Sequence, residues 1–130
     1  MKNQSNEKIT VSYRRSAVKN DESMQEQKYK FIDYIFDNNI KEYEFYTDNG
    51  FSGTSLDRPA IQKMIADIEK GRIKSVVVTD ISRLARDYSA YSKLERLFEE
   101  NGVELTVLQE SKLENELSQE EKELARRLSS

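Results

Sequence analysis

Short apolar stretches alternate with amphipathic segments along this chain. Residues 9–15 alternate between apolar and polar side chains, a pattern that predicts a β-strand. Residues 73–79 contain three consecutive valines, which is typical of a strand buried on both faces of a parallel sheet. Shorter apolar runs predict two more strands, at residues 43–47 and 103–108.

Helical periodicity follows the first predicted strand. We expect Ser23 to cap this helix, with Glu26 completing a capping box, and the helix to end at residues 38–39. Its side chains at helical spacing predict one apolar stripe facing the sheet. The stripe consists of Phe31, Ile32, Ile35 and Phe36.

Three more helices are predicted between and after the other strands. One begins after Asp57, which we expect to cap it, carries Pro59 in its first turn and ends at Gly71. Another covers residues 88–101, and a charged helix begins near residue 118. Strands and helices therefore alternate along the chain, which predicts parallel strands joined by crossover helices.

The expected fold class is α/β, with three layers and a mostly parallel central sheet of four or five strands flanked by helices. We expect residues 1–8 to be a disordered lead and residues 9–110 to form the folded domain. Residues 111–130 should form a short charged helix. In such sheets, functional groups gather beyond the carboxyl ends of the strands.

The composition restricts the chemistry. The chain has neither Cys nor His, which excludes disulfides, thiolate nucleophiles, histidine bases and the usual zinc sites. The net charge of −3 does not favour a nucleic-acid binder, although a local arginine cluster can still bind phosphate. No apolar stretch is long enough to cross a membrane and the first residues lack a secretory signal, so we expect a cytoplasmic protein.

Two pairs of arginines follow predicted strands. Arg14 and Arg15 are adjacent where the first strand ends, although an unpaired buried guanidinium is costly. Arg83 and Arg86 are three residues apart and are expected to share one face of a helical turn, where they could hold a phosphate. Taken singly, the first pair is better explained by a solvated strand end with a salt-bridged arginine. The second is at least as well explained by the start of a surface helix, with Asp87 neutralising one arginine.

The loop at residues 48–58 is the third candidate. Gly50 and Gly53 allow a close approach of the backbone, and Asp48 and Arg58 could pair or face the same site. Alone, such a loop is more often a turn than a phosphate-binding loop. Together with the arginine pairs it favours phosphoryl transfer by a hydroxyl nucleophile, with guanidinium groups stabilising the transition state. No metal or cofactor is expected.

These segments resemble the resolvase/invertase family of serine site-specific recombinases, and most closely the large serine recombinases of conjugative transposons and phage. The similarity covers about residues 9–108, in order and with family-like spacing. The matching stretches are Tyr13 to Ala17, Ser23 to Gln27, Tyr46 to Pro59, Asp80 to Asp87, and Gly102-Val103. The resemblance implies a resolvase-like catalytic domain at residues 9–110.

The resemblance also implies DNA strand cleavage and rejoining. In the family a serine attacks a DNA phosphate, giving a 5′-phosphoserine link and a free 3′-OH, without ATP or metal. Arg15, Arg83 and Arg86 match the arginines that bind and activate the scissile phosphate, and Arg58 and Asp48 match further active-site groups. The implied substrate-binding positions are Tyr13, Arg14, Gln27, Ser52 and Ser82.

The nucleophile position depends on the register of the first strand. If Tyr13 matches the family tyrosine, Ala17 stands at the nucleophile position and lacks a hydroxyl. A shift by one residue makes Ser16 the nucleophile, but Ser12 then replaces the tyrosine. The two registers point opposite faces of the strand toward the site, so only one can hold. The Tyr13 register fits better and predicts an inactive domain, whether Ala17 is natural or engineered.

Ser82 is a second departure, because many resolvases have Asp there. The general acid is then expected to be an arginine or Asp48. The expected partner is double-stranded DNA at a specific recombination site, bound by a dimer or tetramer of the full-length protein. Residues 111–130 lack the heptads of a strong interface and resemble a truncated start of the dimerisation region. We therefore expect the chain alone to be monomeric or weakly associated.

The alternative is a non-catalytic α/β module that acts in regulation or protein interaction, such as a pseudo-recombinase. A receiver domain would need clustered acids after the first strand, where this chain has arginines. A dinucleotide-binding domain would need Gly-x-Gly-x-x-Gly there, and the motif is absent from the sequence.

Overall fold

A computed structural model of the chain describes residues 7–109. The strands are β1 (Ile9–Ser16), β2 (Tyr43–Asn49), β3 (Ile73–Val78) and β4 (Glu104–Val107). The helices are α1 (Ser23–Asp37), α2 (Pro59–Glu69), α3 (Ile81–Leu84) and α4 (Tyr88–Glu100). The strands are all parallel and lie in the order β2-β1-β3-β4. The predicted α/β class, with a parallel sheet flanked by helices, is confirmed.

Helices cover both faces of the sheet. On one face, α2 and α4 pack against the strands around Val11, Ile61, Val76 and Leu94, all of them almost fully buried. On the other face, Phe31 and Ile35 of α1 pack against Val77. The fold therefore has the three expected layers, and the central strands β1 and β3 place their carboxyl ends in the middle of one edge.

The strand β1 is more buried than its alternating sequence indicates. Thr10, Ser12 and Ser16 are buried as well as the apolar positions, because β1 lies between β2 and β3 with helices on both sides. Their side chains are small enough to fit under α1. Of the stripe predicted on α1, Phe31 and Ile35 are buried. The prediction is wrong for Phe36, which is 85% exposed. One residue beyond Ile35, it is rotated about 100° around the helix, away from the sheet.

Two predicted helix caps are wrong. Ser23 is the first residue of α1, and the side chain of Glu22 before it makes no capping hydrogen bond, so the box of Ser23 with Glu26 does not form. Instead, the carboxylate of Asp21 accepts a hydrogen bond from the backbone N–H of Ser23 at 3.1 Å. Asp57 does not cap α2, whose preceding residue is Arg58.

Other predicted boundaries hold more closely. Pro59 begins α2, and Gly71 follows its end with a φ of +76°, the left-handed conformation expected there. The strand β2 continues two residues beyond the predicted end, so Asp48 lies inside it. The predicted charged helix near residue 118 falls outside the described residues. Within residues 7–109, no helix is both long and apolar enough to span a membrane.

Candidate functional site

The side chain of Arg15 joins three separate segments at the carboxyl edge of the sheet. It lies near the end of β1 and is only 1% exposed. Its Nε donates to the carbonyl of Arg83 at 3.0 Å, its Nη1 to that of Phe51 at 2.9 Å, and its Nη2 to that of Ser82 at 2.6 Å. These acceptors lie in the loop after β2 and in α3, so Arg15 holds together the three segments that the sequence singled out.

Several positive charges surround Arg15. Burial is the main reason why the pKa of its guanidinium lies below the ordinary value, and the charge of Arg58 lowers it further. Arg83 and Arg86 act in the same direction. A cluster of cations that repel one another in this way favours the binding of an anion between them.

Arg83 faces this cluster from α3. Its Nη1 donates to the carbonyl of Arg15 at 3.2 Å. Its Nε lies 3.4 Å from Oδ2 of Asp80, in an ion pair that lacks hydrogen-bond geometry. The side chain is 23% exposed, so Arg83 is not closed off from solvent as Arg15 is.

Arg86 does not share a helical face with Arg83, contrary to the prediction. The helix α3 has only four residues, and Ala85 after it is extended, with φ −162° and ψ 142°. Arg86 is exposed and reaches the cluster by another route, since its backbone N–H donates to the carbonyl of Gly53 at 2.8 Å.

Gly53 lies between Arg15 and Arg86. A Cβ atom at this position would lie 2.7 Å from Nη2 of Arg15 and 2.9 Å from Cγ of Arg86. No side chain fits there, which explains the need for glycine in physical terms. Arg15, Arg83 and Arg86, the three arginines matched to the phosphate-binding set, therefore meet at one place, around the loop after β2.

Asp48 and Arg58 do not pair directly, and the phenol of Tyr13 links them. Its hydroxyl donates to Oδ2 of Asp48 at 2.6 Å and accepts from Nη1 of Arg58 at 2.8 Å. Burial is the main cause that raises the pKa of Tyr13, and the hydrogen bond to Asp48 adds to it. Nη2 of Arg58 also donates to the carbonyl of Leu84 at 2.6 Å, which ties α3 to the same network.

The carboxylate of Asp48 caps α2. It accepts hydrogen bonds from the backbone N–H groups of Ala60 at 2.8 Å and Ile61 at 3.0 Å, and it is 0% exposed. Together with the hydroxyl of Tyr13, three groups donate hydrogen bonds to this carboxylate, which has no contact with solvent. This arrangement suits a structural acceptor and not a proton donor to a substrate.

Gln27 fixes the end of β1 from the other face. Its Oε1 accepts from the N–H of Arg15 at 3.2 Å, and its Nε2 donates to the carbonyl of Arg15 at 3.1 Å. Ser52 is exposed and shares a 2.8 Å hydrogen bond with the hydroxyl of Thr54. The hydroxyl of Ser82 donates to the carboxylate of Asp80.

The two nucleophile candidates have different surroundings. Ala17 is exposed and follows Tyr13 and Arg15 at alternate positions. Ser16 is buried, and its hydroxyl donates to the carbonyl of Val18 at 2.8 Å and accepts from its N–H at 3.2 Å. Tyr13 and Arg15 point toward the arginine cluster, so alternation along β1 directs Ser16 to the opposite face.

Arg14 also points to the opposite face. Its Nη2 donates to Oγ1 of Thr47 at 2.9 Å and its Nη1 to the carbonyl of Met24 at 3.3 Å, while Cζ lies 5.0 Å from the centre of the Phe45 ring. It does not join the cluster around Arg15.

Sequence reasoning missed Asp80, although a carboxylate three residues before Arg83 is the spacing of a helical ion pair.

Residues 9–129 match the family model for the resolvase N-terminal domain. The N-terminal catalytic domain of TP901-1 integrase is 30% identical, with a TM-score of 0.72, and the match covers 78% of each chain. A resolvase family site-specific recombinase from Streptococcus pneumoniae shares the fold at 22% identity, with a TM-score of 0.66 and coverage of 94% of this chain and 86% of that one.

A putative DNA recombinase from Bacillus subtilis (strain 168) is 46% identical over 41 residues. That match covers 32% of this chain and only 8% of the relative, which is far longer than the matching region. The family model covers nearly the whole chain, and the parallel sheet flanked by helices agrees with the solved structures that it matches. This chain belongs to the resolvase N-terminal domain family of serine recombinases.

Proposed function

We propose that this domain contacts DNA at a recombination site and belongs to a protein that cleaves and rejoins DNA strands. The observation that carries the proposal is the meeting of Arg15, Arg83 and Arg86 around Gly53. Guanidinium groups bind phosphate oxygens through paired, charge-assisted hydrogen bonds. Three of them from distant parts of the chain suit a single DNA phosphate.

The arginines differ in how readily they reach a phosphate. Arg86 is exposed and Arg83 is partly exposed, so these two would make the first contacts. Arg15 donates to three backbone carbonyls and is only 1% exposed, so a phosphate does not reach its guanidinium in this arrangement. DNA binding would therefore have to move at least one of the segments that cover Arg15 before it could contact the phosphate.

In a form with serine at position 17, the chemistry follows from this arrangement and from the family resemblance. The serine Oγ attacks phosphorus, the bond from phosphorus to the 3′ oxygen breaks, and a 5′-phosphoserine link and a free 3′-OH result. The arginines stabilise the charge that develops on the phosphate oxygens. The reverse attack reseals the strand, and the covalent link conserves the phosphodiester's free energy.

In this chain Ala17 occupies that position and offers no nucleophile. The hydroxyl of Ser16 is held by the backbone of Val18 and lies on the other face of β1, so it does not replace the missing group. We therefore propose that the chain binds DNA without cutting it. Double-stranded DNA is the proposed partner, with the full-length protein as a dimer or tetramer in the cytoplasm.

Restoring the hydroxyl tests this assignment. Ala17→Ser protein, incubated with a pool of random-sequence duplexes, should form a covalent protein–DNA adduct that survives denaturation and maps to residue 17. The unchanged chain should form none, and neither should Ala17→Ser combined with Arg83→Gln. An adduct formed by the unchanged chain and abolished by Ser16→Ala would overturn the Tyr13 register.

A second function is favoured by Ala17 itself. A domain that keeps the arginine cluster but lacks the hydroxyl could occupy recombination sites and regulate active relatives. One result separates the two functions. The Ala17→Ser form of a regulator forms no covalent link to DNA, but it still binds duplex DNA in a salt-dependent way.

A further inference from the structure

A cavity of about 390 Å³ opens beside Arg14 on the face of β1 opposite Arg15. Its volume lies within the range of pockets that hold small ligands. The polar side chains that line it come from β1, β2, the loop after β1 and the start of α1. They are Arg14, Asn20, Asp21, Gln25, Thr47 and Asn49.

The guanidinium of Arg14 is held in place beside this cavity, but not all of its N–H groups have an acceptor. Thr47 and the carbonyl of Met24 accept from its Nη atoms, and the ring of Phe45 lies 5.0 Å beneath Cζ. Its Nε is buried and has no acceptor among residues 7–109. Each Nη atom carries a second N–H with no acceptor among residues 7–109, and a ligand in the cavity could accept from these groups.

Two asparagines form a rigid wall of the cavity. The N–H of Asn20 donates to Oδ1 of Asn49 at 2.7 Å, and Nδ2 of Asn49 donates to Oδ1 of Asn20 at 2.9 Å. Asn20 has a φ of +59°, a left-handed conformation that asparagine tolerates better than most residues. This reciprocal pair fastens the loop that begins at Ala17 to the end of β2.

The cavity is close to the arginine cluster. Nη1 of Arg83 donates to the carbonyl of Arg15 at 3.2 Å, so this guanidinium lies at the residue that follows Arg14 in β1. The loop from Ala17 to Asp21 connects the proposed nucleophile position to the cavity wall. A ligand in the cavity would lie at the same end of β1 as a phosphate held by Arg83, on the other face of the strand.

The chemistry of the lining favours a nucleobase over a second phosphate. Asp21 would repel a phosphate and offsets the charge of Arg14, whereas a base edge presents donors and acceptors together. Arginine, aspartate and asparagine side chains are the groups that bind base edges. Strand exchange also requires that bases at the junction leave their old partners, at a cost of a few kcal/mol.

We propose that this cavity binds an unpaired nucleobase next to the scissile phosphate. The inference rests on the proposed function, because the function supplies the DNA. It assigns Arg14 a role separate from that of Arg15, Arg83 and Arg86.

A nucleoside without phosphate tests base recognition alone. Titration of the ¹⁵N-labelled chain with 2′-deoxycytidine should shift the side-chain amide signals of Asn20, Asn49 and Gln25 in a saturable way. The same titration with 2-deoxyribose 5-phosphate should leave these signals unchanged. If the sugar phosphate shifts them and the nucleoside does not, the cavity is an anion site and the inference is wrong.

Two variants and a control make the assignment specific. Gln25→Trp fills the cavity from an exposed helical position, and Arg14→Met removes the charge but keeps the aliphatic stem. Both should weaken deoxycytidine binding by about tenfold or more, the value of one hydrogen bond to a charged group. Lys93→Met removes an exposed charge on α4 and should leave it unchanged. Equal binding by all four proteins would refute the inference.

The binding of duplex DNA by the domain is tested independently of the cavity. If duplex DNA binds through Arg86 but deoxycytidine does not shift the amides, only the cavity assignment fails. If Arg86→Gln leaves duplex binding unchanged, the proposed function fails instead.

Discussion

Arg15 and Arg83 each donate from the guanidinium to the backbone carbonyl of the other, at 3.0 Å and 3.2 Å. The exchange joins the end of β1 to α3 across 68 residues of sequence. Neither side chain can move without releasing the other segment. The folded domain itself therefore holds the arginine cluster in position, independently of any ligand.

Removing Arg15 should destabilise the domain. Arg15→Ala leaves the carbonyls of Phe51, Ser82 and Arg83 without their donor, at about 1–3 kcal/mol for each that stays buried. We expect urea denaturation to show a loss of roughly 3 kcal/mol or more in the free energy of unfolding. Arg86→Ala is the matched control, since that exposed side chain should change stability by less than about 0.5 kcal/mol. Equal stability of the two variants would contradict the structural role of Arg15.

A side chain at position 53 should clash with Arg15. The guanidinium of Arg15 is pinned by three carbonyls and cannot yield to the new Cβ, so Gly53→Ala should cost about 1–3 kcal/mol. In the Arg15→Ala background the same change should cost clearly less, because the clash with Arg15 is gone and only the contact with Cγ of the exposed Arg86 side chain remains. The measurement is a double-mutant cycle by urea denaturation, with exposed Ser52→Ala as the control. Additive costs would show that Gly53 and Arg15 are not in contact.

Alkaline pH should weaken the fold through Tyr13. Its pKa is raised above the ordinary value near 10, so the folded state keeps a proton that the unfolded state releases. The contribution is fully present below about pH 10 and is lost as the pH rises further. We expect the free energy of unfolding to fall above that pH and to fall less steeply in Tyr13→Phe. Identical slopes for the two proteins in urea melts would contradict this account.

Asp80 should compete with DNA for Arg83. Asp80→Asn removes the charge 3.4 Å from Nε of Arg83 but still accepts from Ser82, so affinity for duplex DNA should rise. An exposed ion pair is worth about 0.2–1 kcal/mol, which corresponds to a gain of up to about fivefold. Asp57→Asn, with the same change in charge in an exposed loop, should have a smaller effect when both are compared by fluorescence anisotropy. A loss of affinity in Asp80→Asn would show that the carboxylate orients Arg83 instead.

The sequence predicted the fold well because its signals are local. Three consecutive valines identified β3, Pro59 and Gly71 marked the ends of α2, and parallel topology implied that the strand ends meet. That topology is also why the arginine pairs and the loop at residues 48–58 could be assigned to one edge of the sheet from the sequence alone.

Long-range contacts were beyond the sequence. Asp48 caps a helix that begins 11 positions later, and this role displaced the nearer candidate Asp57. The four residues of α3 end before Arg86, so helical spacing placed that arginine on the wrong face. Nothing in the sequence indicated that backbone carbonyls would occupy the guanidinium of Arg15.

The central claim is that the clustered arginines bind one phosphate, and the salt dependence of DNA affinity tests it most directly for Arg83 and Arg86. One phosphate contact contributes about 0.9 to the slope of log affinity against log salt concentration. If Arg83 and Arg86 share a phosphate, Arg83→Gln, Arg86→Gln and the double variant should each lower the slope by about 0.9 at most. A double variant that loses about 1.8, with additive losses of binding energy, would contradict the claim and assign the two arginines to separate phosphates.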